Sequence, residues 1–271
     1  MIFVKNLTTE NIHGITLAID GITCILGDWD KDKSDLVDVL LGRKRFSGEV
    51  SYFNGIEKIS PSNIRLIPRN LERPKVFVSQ ILKLFSKRYS GNYEVIMNFL
   101  NLNDTEMNSL EEFEVFKVYL SSVFFGKTKL IISEDFLELI EEQAKYLALK
   151  YLIKAAKMLN STLLLFMSSA EYSEICSKIY VIYGGRVLEE GRKELYHPYS
   201  QTMQKSVITI GKKFEKIDVV EVGKPSDKGC PFHDYCYAAK NDKLLFRKCA
   251  LQEPPFFIKG GNKVACWLYE M

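Results

Sequence analysis

The chain alternates short apolar runs with longer segments of helical periodicity. Apolar runs typical of buried strands occupy positions 1–7, 15–19, 22–26, 48–53, 64–68, 129–133, 162–167 and 179–183. Asp20-Gly21 is a tight-turn pair between two of these runs, and the run over 48–53 is predicted to end at Asn54-Gly55. Helices are predicted at Asp35–Leu41, from about Ser79 to Phe125, at Glu138–Met158 and at Ala170–Cys176. This alternation predicts an α/β fold with a mainly parallel sheet and an all-helical insertion.

Composition and charge narrow the function classes. With 271 residues, 46% hydrophobic and 26% charged, the chain is long enough for a large core and an appendage. The net charge of +3, without a basic run, gives no reason to expect a nucleic-acid partner. The chain lacks an uncharged apolar segment of about 18 residues, and its start does not resemble a signal peptide. We therefore expect a cytoplasmic protein whose thiols stay reduced unless they hold metal.

The segment Gly27 to Ser34 follows a predicted strand and precedes a predicted helix. It keeps the first glycine, the lysine and the serine of the phosphate-binding pattern G-x-x-x-x-G-K-[ST], but Asp32 replaces the second glycine. In an intact loop, backbone N–H groups curl round a phosphate at a helix N-terminus. Asp28, Asp30 and Asp32 would instead direct negative charge at an anion. The frame is either a coincidence or a nucleotide site that has decayed.

The order of these elements resembles the ATP-binding subunits of ABC transporters. In that family the phosphate-binding loop is followed by a glutamine-bearing loop, a helical subdomain, a signature motif L-S-G-G-Q, an acidic strand end and a histidine loop. The hairpin Gly184–Gly191 is close to the family's own hairpin. The resemblance covers about residues 1–195. It implies an α/β P-loop (RecA-like) nucleotide-binding domain with an antiparallel β subdomain and a helical subdomain inserted at about 75–127.

Most of the family's functional residues are replaced at the matching positions. Arg69 stands in place of the glutamine, Leu110–Glu114 keeps only the leucine of the signature, and Ser169 replaces the histidine. Glu134 and Asp135 occur in swapped order after their strand, where Asp135 would be a vestigial base one methylene shorter than glutamate. By position, the resemblance assigns the nucleotide site to Gly27, Asp32, Lys33, Ser34, Asp35, Arg69 and Glu134. These replacements predict weak or absent binding of ATP and Mg²⁺ and little ATP hydrolysis by this chain alone.

The cysteines fall into two groups. Cys24 and Cys176 lie in apolar patterns and are predicted to be core residues. The other four crowd into the C-terminal stretch with the spacing C-x5-C-x12-C-x16-C, at Cys230, Cys236, Cys249 and Cys266. Four thiolates suit a [4Fe–4S] cluster or a tetrahedral Zn²⁺ ion, although the paired C-x2-C knuckles of zinc ribbons are absent. Two disulfides or an unbridged thiol-rich loop are the alternatives.

The C-terminal segment, residues 196–271, narrows the resemblance. His197-Pro198-Tyr199 resembles a signature of the oligopeptide and dipeptide importer branch, and that branch carries a similar cysteine-bearing tail. The resemblance implies a small extension that holds a [4Fe–4S] cluster, with a structural role more than a redox one.

Together these features predict a degenerate subunit of a heteromeric ABC importer of peptides or oligosaccharides. The expected partners are a second, more intact ATPase, two transmembrane permease subunits and an extracellular substrate-binding protein, with this chain peripheral at the cytoplasmic face of the cell membrane. One alternative is a scaffold of the same transporter that binds no nucleotide. Another is an iron–sulfur redox or sensing protein on a recycled P-loop fold.

Overall fold

The computed structural model describes residues 1–52, 63–206 and 222–270. The predicted strand end at Phe53 and the turn at Asn54-Gly55 lie outside these residues. The chain forms two compact units. One contains Met1 and residues 19–22 and 52–165, and the other contains residues 2–18, 23–51 and 166–271. Among the described helices, none combines the length and the apolar composition that crossing a bilayer requires.

The described residues form α-helices and β-strands with the following bounds. The strands are β1 (Ile2–Thr8), β2 (Ile15–Ile19), β3 (Ile22–Leu26), β4 (Ser47–Tyr52), β5 (Ile64–Ile67), β6 (Leu130–Ser133), β7 (Thr162–Met167), β8 (Lys178–Tyr183), β9 (Arg186–Gly191), β10 (Phe256–Lys259) and β11 (Asn262–Ala265). The helices are α1 (Lys31–Leu40), α2 (Val78–Tyr89), α3 (Tyr93–Phe99), α4 (Glu112–Ser121), α5 (Glu142–Met158), α6 (Pro198–Lys205), α7 (Tyr237–Asn241) and α8 (Lys243–Leu251).

The first unit combines parallel strands with a helical segment. Strands β5, β6 and β7 are parallel, with Ile64 opposite Leu130 and Leu130 opposite Thr162. Every residue of β6 and β7 is buried, as expected of parallel strands covered on both faces. The predicted helical insertion consists of α2, α3 and α4, which share a cluster of buried apolar side chains: Val78, Leu82, Ile96, Leu100, Leu102, Met107, Val115, Val118 and Phe125.

Arg65 of β5 joins that strand to the end of the helical segment. Its side chain is only 1% exposed. Its Nε donates to the Ser122 carbonyl oxygen at 3.0 Å and its Nη2 to the Phe125 carbonyl oxygen at 2.5 Å. The guanidinium also lies 3.6 Å from the centre of the Tyr89 ring, a cation–π distance. A buried charge is tolerated here because backbone acceptors and a ring face replace water.

The second unit contains two sheets. In one, β3 and β8 are parallel, and β9, β11 and β10 continue from β8 in antiparallel pairs. In the other, the order is β2-β1-β4. The chain turns at Asp20-Gly21 as predicted, but β2 and β3 belong to different sheets, so this turn does not close a hairpin. The fold is the expected α/β arrangement with a mixed sheet and helices.

Cys24 and Cys176 are core residues as predicted, but the expectation that the thiols stay reduced is wrong for this pair, because the two form a disulfide. The parallel pairing of β3 with β8 places Cys24 opposite Ile179, and Cys176 lies just before β8. The two positions are 152 residues apart in sequence, so their apolar surroundings gave no sign of the bridge.

Two predicted helices are shorter than expected. The helix predicted from Glu138 begins at Glu142, after a 3-10 turn at Leu137–Leu139. The helix predicted over Ala170–Cys176 is a single 3-10 turn at Ser173–Ile175. These differences concern helix ends, which sequence patterns locate poorly.

Candidate functional site

The phosphate-loop segment is shorter than its sequence predicts. The next helix, α1, begins at Lys31 instead of Asp35, because the Asp30 side chain caps it by accepting from the Lys31 N–H at 2.7 Å. Gly27 is required at the end of β3: its φ is 140°, and a Cβ there would lie 2.2 Å from the Ile182 carbonyl oxygen. Three residues, positions 28–30, therefore separate Gly27 from α1.

Asp32 and Lys33 form a buried ion pair at this helix start. Asp32 Oδ2 lies 3.1 Å from Lys33 Nζ, and the two side chains are 6% and 3% exposed. Lys33 Nζ also donates to the Ile182 carbonyl oxygen at 2.9 Å. The Asp32 carboxylate accepts from the Lys33 N–H at 2.8 Å and the Gly185 N–H at 3.0 Å. The Asp32 carboxylate thus accepts from the Lys33 ammonium and from two backbone N–H groups.

Ser34 and Asp35 differ in their surroundings. The Ser34 N–H donates to the Asp30 carbonyl oxygen, and its side chain is partly buried in α1. Asp35 accepts from the Thr9 hydroxyl at 2.6 Å, from Asn11 Nδ2 at 3.0 Å and from Lys44 Nζ at 2.5 Å. Burial opposes ionisation of Asp35, but the hydrogen bonds from Lys44, Thr9 and Asn11 outweigh it and lower the pKa of the carboxyl. Asp35 therefore fastens the segment after β1 to α1.

A cleft of about 540 Å³ opens beside the Asp32–Lys33 pair. Its charged lining contains more acids than bases: Glu10, Asp28, Asp30, Asp32 and Asp227 against Lys31, Lys33, Arg186 and Lys224. A site for a triphosphate needs an excess of positive charge or free N–H groups. The charged residues that line this cleft do not provide an excess of positive charge.

In the other unit, Arg69 lies beside the acidic end of β6. Its backbone N–H donates to Glu134 Oε2 at 2.8 Å, and its guanidinium pairs with Glu138 at 2.5 Å. Asp135 is 2% exposed and directly follows Glu134. Glu134 and Arg69 are thus brought together, and the Glu134 carboxylate holds the backbone at Arg69.

The acidic segment Leu110–Glu114 leads into α4, which begins at Glu112. Glu112 Oε2 accepts from the Glu141 N–H at 3.0 Å, and Glu114 Oε1 lies 2.8 Å from Lys117 Nζ. Carboxylates near a helix N-terminus are stabilised by the helix dipole. These glutamates have structural partners in place of the N–H groups that a phosphate-binding signature would offer.

Ser169 is exposed, and its Oγ accepts from the Glu171 N–H at 3.2 Å. A hydroxyl held in a local turn cannot supply the imidazole of the family's histidine loop.

The four C-terminal cysteines are all buried and all free thiols: Cys230, Cys236, Cys249 and Cys266. They come from four places in the extension, since Cys236 caps α7, Cys249 lies in α8, Cys266 follows β11, and Cys230 precedes a series of turns. The Cys230 N–H donates to the Cys249 carbonyl oxygen at 2.8 Å. The fold thus brings the predicted set together in one small core.

Burial raises the pKa of each of these thiols, to about 11 for Cys249 and about 12 for Cys266. Hydrogen bonds from backbone N–H groups partly offset this rise in pKa at three of the thiols. The donors are Phe232 at Cys230, Leu268 at Cys266, and Ala239 and Ala238 at Cys236. Neighbouring thiols add to the rise at Cys230, Cys249 and Cys266. Sulfurs in such a setting are inert as nucleophiles.

Within the described ranges, no three His, Cys, Asp or Glu side chains stand close enough together to hold a metal ion. A tetrahedral zinc site needs each sulfur about 2.3 Å from one ion. The four thiols are therefore not arranged round a single ion. The predicted metal site is not visible as such.

His197 lies against this thiol core. Its ring is 1% exposed, and burial lowers its pKa to about 3, so the imidazole is neutral. Its Nδ1 accepts from the Tyr199 N–H at 3.1 Å, and this hydrogen bond caps α6. Its Nε2 lies 3.9 Å from Cys230 Sγ. The backbone N–H of His197 donates to the buried Glu189 carboxylate at 2.9 Å, and Asn262 donates to the same carboxylate.

Two structural features were not anticipated. The sequence places Asp32 next to Lys33, but adjacent residues on a helix usually point apart, so their ion pair was not foreseen. His197 was noted only as part of a signature, although a histidine followed by proline at the start of a helix is itself an indication of a capping role.

Comparison with known proteins identifies the fold. No protein-family model and no curated protein matches the sequence. Solved structures do match. CbiO1 from Clostridium perfringens, part of the ABC transporter complex CbiONQ, is 16% identical with a TM-score of 0.62, over 71% of this chain and 88% of that one. A protein from Pyrococcus furiosus described as an ABC transporter ATP-binding protein is 17% identical with a TM-score of 0.56, over 66% and 96%.

An ATP-binding cassette solved as a dimer in a post-hydrolysis state, with ADP and phosphate bound, is 12% identical with a TM-score of 0.59, over 72% of this chain and all of that one. At such identities the likeness is one of architecture. It confirms the expected α/β P-loop arrangement. The chain therefore has the fold of an ABC transporter ATP-binding subunit.

Proposed function

We propose that this chain is a degenerate subunit of a heteromeric ABC importer, paired with a second and more intact ATPase. The pair would couple ATP binding and hydrolysis, performed mainly by the partner, to uptake of peptides or oligosaccharides. Two permease subunits and an extracellular binding protein would complete the complex, with this chain peripheral at the cytoplasmic face of the membrane. The observation that carries the proposal is the Asp32–Lys33 ion pair within an ATPase fold.

That ion pair opposes the first step of phosphoryl transfer. Catalysis there depends on a lysine and backbone N–H groups that hold the phosphates. To hold ATP, Lys33 would have to leave Asp32 and the Ile182 carbonyl oxygen, and Asp32 would have to leave the Gly185 N–H. Each hydrogen bond to a charged group contributes about 1.5–3 kcal/mol. ATP would therefore have to replace several favourable contacts before it gained any.

The remaining motif positions support the same conclusion. Arg69 is engaged with Glu138, and Ser169 lacks a ring nitrogen for a γ-phosphate. In a head-to-tail pair the partner's phosphate loop would face Leu110–Glu114, whose carboxylates repel ATP. We infer that hydrolysis of ATP by the pair depends little on contacts with this segment.

ATPase assays test the proposal. We expect negligible turnover from the isolated chain and substantial turnover from the mixed pair. Robust turnover by the isolated chain, abolished by Lys33→Ala, would contradict it. Co-purification with permeases and a second ATPase tests the assembly independently.

A scaffold that binds no nucleotide is the second candidate, and the acid-rich cleft of about 540 Å³ favours it. Titration with labelled ATP separates the two candidates. Tight Mg²⁺-dependent binding to the isolated chain would count against the scaffold, whereas no binding at millimolar ATP would favour it.

We further propose that Cys230, Cys236, Cys249 and Cys266 hold a [4Fe–4S] cluster. Four buried sulfurs with N–H groups directed at three of them form a donor set suited to a cluster. When bound, the cluster would cross-link the extension and carry one electron. Iron and sulfide analysis after anaerobic purification tests this, and stoichiometric zinc would contradict it.

A further inference from the structure

Helix α5 has a buried face and an exposed face of different composition. The buried side chains are Ala148, Leu149, Leu152, Ala155 and Ala156. On the exposed face, Tyr146 is 66% exposed, Met158 54% and Leu147 39%. Large apolar side chains that share one exposed helix face are typical of a surface that binds another molecule. Because the protein's own core already covers the other face, this exposed face is the part of α5 that a partner can reach.

The exposed face of α5 is also basic. After Glu142, the helix contains four lysines and no acidic residue. Lys145 pairs with Glu142 at 2.6 Å. Lys150, Lys154 and Lys157 are exposed, and no carboxylate among the described residues forms an ion pair with them. Their spacing of i, i+4 and i+7 places these three side chains in one row, which we call the lysine column.

The order of side chains round α5 distinguishes between two kinds of anionic partner. At about 100° per residue, the lysine column runs down the middle of the exposed face, with Tyr146 on one side and Leu147 and Met158 on the other. A helix that lies on a bilayer has the reverse order, because its apolar side chains point to the acyl chains and its lysines lie at the edges. The face therefore fits a row of carboxylates flanked by apolar side chains better than it fits a lipid surface.

We propose that the exposed face of α5 docks an acidic helical segment of another protein. Carboxylates spaced i, i+4 and i+7 on that segment would face the lysine column, since all α-helices share the same rise per residue. Tyr146, Leu147 and Met158 would pack against the apolar side chains beside those carboxylates. The charge pairs select the partner and its register, whereas the apolar contacts supply most of the affinity. This inference uses α5 alone and does not depend on the proposed role in an importer.

The experiment titrates the full chain at low salt with a synthetic peptide that is stapled as a helix. The peptide carries glutamates at i, i+4 and i+7 with leucines on both sides of them, and a peptide of the same composition in scrambled order is its control. Lys150→Gln, Lys154→Gln and Lys157→Gln, combined in one variant, should weaken binding of the ordered peptide by about 10-fold, because three exposed ion pairs are lost. Circular dichroism verifies that the variant is folded.

A matched control removes the same charge from exposed positions elsewhere in the same unit. This control combines Lys75→Gln, Lys87→Gln and Lys127→Gln, and it should bind the ordered peptide as the wild type does. A charge-reversed pair tests the contact directly. Lys150→Glu with Lys154→Glu should lose the glutamate peptide and bind a peptide in which lysines replace the glutamates.

Vesicles of phosphatidylcholine with phosphatidylglycerol test the other kind of anionic partner. Binding to these vesicles that depends on the lysine column, without binding of the ordered peptide, would overturn the proposal in favour of a membrane. Equal binding of the ordered and scrambled peptides, or of the wild type and the variant without the lysine column, would overturn it as well. Failure of the ordered peptide to bind at all would show that the face is only solvated.

Discussion

Replacing Asp32 by glycine should convert a helix start that repels phosphate into one that attracts it. In the wild type, the Asp32 carboxylate accepts from two backbone N–H groups and from the Lys33 ammonium. Without this carboxylate, the Lys33 ammonium still donates to the Ile182 carbonyl oxygen. A buried ammonium with too few acceptors gains by binding an anion.

The size of the effect follows from the distances. A phosphate oxygen seated on Lys33 would lie about 4 Å from the carboxylate, where two unit charges repel by about 4 kcal/mol at an effective dielectric constant of about 20. Because solvent in the open cleft screens this repulsion, we take about half to two thirds of that energy as the expected gain in binding free energy. At 1.4 kcal/mol per tenfold, the affinity for ATP should rise by about 30- to 80-fold.

The assay is a calorimetric titration of Mg-ATP into the isolated chain, with circular dichroism to verify folding. Asp227→Asn is the matched control, because Asp227 lines the same cleft and the substitution removes the same charge. Lys33→Ala should cancel the gain when combined with Asp32→Gly. The reasoning is refuted if Asp32→Gly is folded but binds no tighter, or if Asp227→Asn gains as much.

Three further predictions concern stability. Reducing the Cys24–Cys176 disulfide should lower the free energy of unfolding by up to about 5 kcal/mol, because the bridge closes a loop between residues that are 152 positions apart. Chemical denaturation with and without reductant measures this, and the stability of Cys24→Ser should not change on adding reductant. Arg65→Met should cost about 3 kcal/mol by orphaning buried carbonyls, more than Arg65→Lys; equal Tm values would contradict this. Because the pKa of Asp35 is lowered on folding, its stabilisation is present above about pH 4 and lost as pH falls further, so Asp35→Asn should flatten the acid limb of a Tm–pH curve.

Much of the architecture was predictable because strands and helices leave periodic apolar patterns. The buried β6 and β7 and the helical insertion all follow from such patterns. The start of α1 could not be predicted in this way, because the same sequence is compatible with an open loop and with a helix capped by Asp30. That choice depends on Ile182 and Gly185, which lie far along the chain.

The candidate sites were predictable as residue sets and not as contacts. The four C-terminal cysteines were found by their crowding, and the fold buries all of them together. The bridge between Cys24 and Cys176 required the pairing of β3 with β8, which periodicity cannot specify. The hydrogen bond from the His197 backbone N–H to Glu189 likewise depends on the fold, because the sequence marks Glu189 only as part of a hairpin.

The Cys24–Cys176 bridge has a consequence for how the chain would respond to proteolysis. The covalent loop that it closes contains residues 52–165, including the whole helical insertion. A single cut anywhere inside that loop leaves two fragments that stay joined through sulfur. A nicked chain would therefore migrate as one molecule on a non-reducing gel and separate into two only after reduction.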